Sequence, residues 1–122
     1  MEVALPSPAK ATLYLLDPSF EDAALPGQKF FCRHGALVEG VLGNFPEVRA
    51  EIAIERVAFP RPRQAVIEAI GEANQSLPVL VLPAGETSPS ATGIANGHAF
   101  AAGSNAILAT LAERHGLPVI HP

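Results

Sequence analysis

Val79-Leu80-Val81-Leu82 is an unbroken apolar run with Pro78 on one side and Pro83 on the other. Four consecutive apolar residues between breakers have the length of a strand covered on both faces, which requires a sheet with helices above and below it. The run therefore predicts an α/β chain in which residues 79–82 form a central strand. Proline is permitted at the first position of a strand, where its missing N–H costs least, so Pro78 fits that placement.

The remaining punctuation sets an order around this strand. After an expected N-terminal tail over residues 1–11, Thr12-Leu13-Tyr14-Leu15-Leu16 reads as strand one and stops at Asp17-Pro18. Residues 17–31 show no sustained period and predict a long loop. From Arg33, apolar residues at 37, 38, 41, 42 and 45 recur at helical spacing until Asn44 and Pro46 close the segment. Residues 51–55 alternate and Val57 and Phe59 continue on the opposite parity, which predicts a strand with a bulge or one whose far end is covered on both faces. Residues 63–74 predict a helix with Val66, Ile67 and Ile70 inward and Pro62 suited to its first turn.

Beyond the central strand, residues 83–97 predict a loop ending in the hairpin signal Asn96-Gly97. His98-Ala99-Phe100-Ala101-Ala102 is then expected to return as an antiparallel edge strand. Ser104 is an N-cap candidate for the last helix, and Gly116 with Pro118 marks its end. The predicted order is βαβαββα, with a four-stranded mixed sheet flanked by helices. All 122 residues fit one domain, 1–122.

Composition removes several functions. Hydrophobic residues at 48% against 16% charged exclude disorder, and a net charge of -4 with only 8 Lys plus Arg leaves no footprint for nucleic acid or an anionic membrane. No apolar run reaches the length of a membrane span, and the first residues lack the pattern of a secretory signal, so a cytoplasmic location is expected. Four histidines show no ligand spacing, and one cysteine is too few for a typical structural zinc site, so neither a metal nor another cofactor is expected.

The single cysteine cannot form an internal disulfide. Placed at the start of the first helix, Cys32 would meet the positive end of the helix dipole, with Arg33 and His34 beside it, and all three favour a thiolate. The competing reading is a small buried hydrophobe. Ser104 likewise has two readings, an anion-binding hydroxyl at a helix start or a cap that serves only its own helix. Arg61 and Arg63 are read either as partners for a ligand carboxylate or as a solvated charge pair.

The βαβαββα order, Cys32-Arg33-His34-Gly35 before the first helix and Ser76-Leu77-Pro78-Val79 before the central strand together resemble the thioredoxin-like class. That resemblance implies a cis Leu77-Pro78 peptide lying beside the cysteine, with Leu77 offering its backbone to an extended ligand. Gly35 stands where a resolving cysteine would be, so a dithiol cycle is excluded and monothiol exchange remains. Gly103-Ser104-Asn105-Ala106-Ile107-Leu108 is similar to the start of the last helix in the N-terminal domain of glutathione transferases. There a serine at the position of Ser104 helps hold the γ-glutamyl carboxylate of glutathione. Basic residues placed like Arg61 and Arg63 resemble those of glutaredoxin grooves.

Over most of its length the chain resembles a bacterial family of small thioredoxin-like proteins of unknown function. The carrying motifs are Phe31-Cys32 entering Ala36-Leu37-Val38-Glu39-Gly40, Pro60-Arg61-Pro62-Arg63, and Gln75-Ser76-Leu77-Pro78-Val79-Leu80. The expectation that follows is a protein that binds glutathione or a related thiol, with Cys32 as the catalytic group and Arg33, His34, Leu77, Pro78 and Ser104 lining the ligand site. Its partner is a small thiol or a protein thiol. The alternative is a non-catalytic interaction module, a homodimer using Leu25, Phe30 and Phe31.

Overall fold

The computed structural model describes residues 9–122. Of the expected tail, residues 1–8 lie outside the described residues, and Ala11 already belongs to the first strand, β1 (Ala11–Leu16). The chain continues through β2 (Phe20–Glu21), β3 (Lys29–Phe30), α1 (Arg33–Asn44), α2 (Pro46–Arg49), β4 (Ile52–Val57) and α3 (Gln64–Ile70). It closes with β5 (Val79–Val81), β6 (Gly93–Ala95), β7 (His98–Ala102) and α4 (Ser104–His115). No helix among the described residues is long and apolar enough to cross a membrane.

Five strands, not the expected four, form the main sheet in the order β4-β1-β5-β7-β6. The β1–β4 pair is parallel and the other pairs are antiparallel. β5 is central, as its apolar run demands. The strand that the sequence hides is β6, because Gly93 and Ala95 are poor strand formers. Gly93 lies opposite Phe100, and a Cβ built on it would stand 2.6 Å from the Phe100 ring, so the ring needs the glycine. The link between β6 and β7 is the expected Asn96-Gly97 turn, with φ of 52° and 78°.

This extra strand moves β7 from the expected edge to the interior. Ala99 and Ala101 face α1 and α4, packed with Leu13, Leu80, Val38 and Leu111. Small side chains there let the helices approach the sheet closely. Phe100 points to the opposite face, where Tyr14, Val79, Val66 and Ile70 meet α3. Period-two alternation along β5 and β7 thus feeds two separate cores.

Other departures have local causes. The 17–31 segment holds a two-stranded ribbon, β2 with β3, because Phe20 stacks on Phe59 at 4.6 Å and pairs with Phe30. Pro46 both ends α1 and begins the short α2. α3 stops at Ile70 rather than at 74, since Gly71 takes φ +88°. Pro62 is not in its first turn; the Arg61-Pro62 peptide is cis and Arg63 precedes the helix. On α1 the buried stripe is Gly35, Val38 and Leu42, leaving Leu37 exposed.

One carboxylate ties the 83–92 loop to α4. Glu113 accepts hydrogen bonds from the Ser88 hydroxyl at 2.6 Å, from the Ser90 hydroxyl and from the Ser90 N–H. The Ser88 bond first, and those from Ser90 next, hold its carboxyl below the ordinary glutamate range. A depressed folded value means that the clamp is complete above the unfolded value of 4.5 and is lost as pH falls through the lower folded one. The protection factor of the Ser90 N–H, its slowing relative to the intrinsic rate at the same pH, is expected to fall on acidification below that point. Glu113→Gln should show fast exchange already at pH 7, and equal protection in both proteins at pH 7 would refute the clamp.

Candidate functional site

Cys32 is the N-cap of α1. Its backbone is extended, with φ −82° and ψ 115°, and its carbonyl accepts the Ala36 N–H at 2.9 Å. Phe31 before it is 70% exposed, and Cys32 itself is half-buried. The sulfur thus stands at the positive end of a twelve-residue helix.

A cavity of about 150 Å³ opens beside it, lined by Asp17, Phe31, Cys32, Gly35 and Glu39 among others. Gly35 shapes that space. A Cβ built there would lie 3.8 Å from the Cys32 Cβ and 3.9 Å from its Sγ, in ordinary contact and without a clash. Glu39 is neutralised by a bidentate pair with Arg56, at 2.6 and 2.7 Å.

A second, larger groove of about 390 Å³ brings together His34, Leu77, Pro78 and Ser104. The Leu77-Pro78 peptide is cis. The Pro78 carbonyl accepts the Gly103 N–H at 3.1 Å, which fixes the start of β5 against the start of α4. Leu77 itself makes no backbone hydrogen bond among the described residues. Gly103, with φ +91°, and not Ser104, holds the N-cap position. A positive φ selects glycine there and shifts the serine one place into the helix. Ser104 is 8% exposed and its hydroxyl has no partner among the described residues, so the capping role expected of it is not taken.

Four of the six expected residues therefore share one groove. Cys32 lines the separate, smaller cavity, and Arg33, exposed on the first turn of α1, lines neither. Phe30 is engaged in the ribbon with Phe20, leaving Leu25 and Phe31 as the exposed residues of the apolar set.

The sequence names Arg63 but not its burial or its partners. It is 7% exposed, not a solvated partner of Arg61. Its Nε and Nη2 donate to the Phe59 carbonyl at 3.0 and 2.6 Å, and its Nη1 to the Gln75 carbonyl at 2.8 Å. Its backbone N–H meets the Gln75 Oε1 at 2.7 Å. Burial, then the neighbouring Arg61, pushes this guanidinium below its ordinary value, while Cys32 acts in the opposite sense. The available signal was the pair of motifs Pro60-Arg61-Pro62-Arg63 and Gln75-Ser76-Leu77-Pro78, which hold the two ends of this network.

No curated protein and no solved structure matches the chain. A family model described as "Protein of unknown function (DUF3088)" matches residues 10–119, a span that runs from β1 through α4 and contains both cavities; the chain belongs to that family.

Proposed function

We propose that the chain is a thioredoxin-like protein that binds glutathione or a related low-molecular-weight thiol and exchanges it through Cys32. The observation that carries this reading is the half-buried sulfur at the N-terminus of α1 with an open flank at Gly35. The adjacent groove adds acceptors and donors for a peptide-like ligand. These are the free backbone of Leu77, the unpartnered Ser104 hydroxyl and the N-terminus of α4. In support of the fold family are the parallel β1–β4 pair, the antiparallel β5–β7 pair, and α1 with α4 on one face opposite α3.

The exchange proceeds in two balanced steps. The Cys32 thiolate attacks the glutathionyl sulfur of a mixed disulfide, a protein–glutathione disulfide forms, and the other thiol leaves as a thiolate that takes up a proton. A second glutathione thiolate then attacks the bound glutathionyl sulfur, forming oxidised glutathione and restoring the Cys32 thiolate. Gly35 leaves the first intermediate without an internal competitor.

After incubation with oxidised glutathione, intact-mass spectrometry is expected to show one glutathionyl group on the wild-type chain and none on Cys32→Ser. Unmodified wild-type protein would remove the exchange reading. A non-catalytic module using exposed Leu25 and Phe31 would then be the better account.

A further inference from the structure

We propose that the groove beside Leu77 and Pro78 anchors its ligand through a carboxylate that has no ammonium next to it, with Ser104 and the first turn of α4 as the anion site. The proposal deepens the reading of this groove as part of the thiol-ligand site and rests on it. The start of α4 supplies the donors. Its first hydrogen bond runs from the Ile107 N–H to the Gly103 carbonyl, which leaves the N–H groups of Ser104, Asn105 and Ala106 without an acceptor among the described residues. A helix ordinarily satisfies such donors with the side chain of its N-cap residue or with a carboxylate in its first turn. Gly103 at the N-cap has no side chain to offer, and the first turn of α4 holds no acidic residue.

Ser104 is the independent observation. It is 8% exposed, lines the groove, and its hydroxyl has no partner among the described residues. A hydroxyl taken out of water without a partner is costly, and one that can still rotate is free to donate to an incoming oxyanion. The unpartnered side-chain atoms sealed from solvent belong to Thr110, Arg114 and His115. The Ser104 hydroxyl is not one of them, so it is reached from the groove. Charge then decides which carboxylate fits. Of the residues lining the groove only His34 can ionise, and it can add only positive charge. The ammonium of an α-amino acid would be held against the positive end of α4 with no carboxylate to meet it. Leu77 offers its carbonyl, an uncharged acceptor. A carboxylate alone on its carbon chain avoids that repulsion. Glutathione meets the condition only through its glycyl end, whereas N-acylated and deaminated thiols meet it outright.

The test is an amide-resonance titration with γ-(methylthio)butyrate and with L-methionine, which is the same molecule carrying an ammonium beside the carboxylate. Butyrate is expected to move the Ser104, Asn105 and Ala106 amides saturably and to bind about two- to fivefold more tightly than methionine, the ratio set by an ammonium at a helix N-terminus. Ser104→Ala is expected to weaken butyrate binding about tenfold, as loss of a hydrogen bond to a charged group does. Asn105→Asp is isosteric and exposed, and it supplies the carboxylate that the first turn lacks. In that variant the order is expected to reverse, methionine binding better than butyrate, and this second variant decides should Ser104→Ala not fold. Amides that do not move in wild type, methionine binding as well as butyrate, or a folded Asn105→Asp protein with the wild-type order would each overturn the proposal. Both probes are thioethers and cannot exchange with Cys32. A protein that binds butyrate as described but never takes up glutathione therefore loses the exchange reading and keeps this site, and glutathionylation of Cys32 with still amides has the opposite meaning.

Discussion

Oxidation of a Gly35→Cys variant is expected to close a disulfide with Cys32, taking the count of free thiols from two to none. The new Cβ would stand 3.8 Å from the Cys32 Cβ, which is the mean separation across a disulfide, about 3.8 Å. Its nearest neighbour is a Leu15 methyl at 3.6 Å, so nothing must move to admit it. Gly35 has an ordinary helical backbone within α1, and a side chain there removes the entropic penalty of glycine. The consequence for the proposed chemistry is large. A glutathionyl adduct on Cys32 should be displaced by the neighbouring thiol and fail to accumulate. Thiol titration with and without reductant checks the first outcome, and intact mass checks the second. Two titratable thiols that persist under oxidant would show that the flank of the sulfur is not arranged as described.

Leu80→Ala is expected to cost about 2–5 kcal/mol, the range for deleting most of a fully buried leucine side chain where the surroundings collapse only partly. Leu80 is 0% exposed at the centre of β5, opposite Leu13 on one neighbour and Ala101 on the other. Small Ala101 offers little material to fill the gap. Urea denaturation measures the loss. Because Pro78 stands immediately before β5, the groove that it lines with Ser104 should loosen in the same variant. A loss below about 1 kcal/mol would place Leu80 outside the rigid core.

Legibility in the sequence varied with the range of the interaction concerned. Val79 to Val81, Asn96-Gly97, Gly116 and the start of α1 at Cys32 announce themselves because the cause is local: an apolar run, a turn with positive φ, a left-handed cap at φ 72°, a break in helical period. The β2–β3 ribbon and β6 do not, since each is created by a partner distant in the chain. Phe59 draws in Phe20, and β7 supplies the ladder for a strand whose glycine exists to make room for Phe100.

The site divides along the same line. Cys32 at a helix start, the Leu77-Pro78 junction and the absence of a thiol at position 35 were determined by residue identity and short-range backbone preference. Only the tertiary structure decided that Leu77, Pro78, Ser104 and His34 share a groove that Cys32 does not line. It alone showed Gly103 rather than Ser104 taking the cap, and Arg63 buried as the link between Phe59 and Gln75. The physical reason is that burial and pairing of polar groups depend on which segments meet. Local periodicity carries no information about a carbonyl that approaches from another part of the chain.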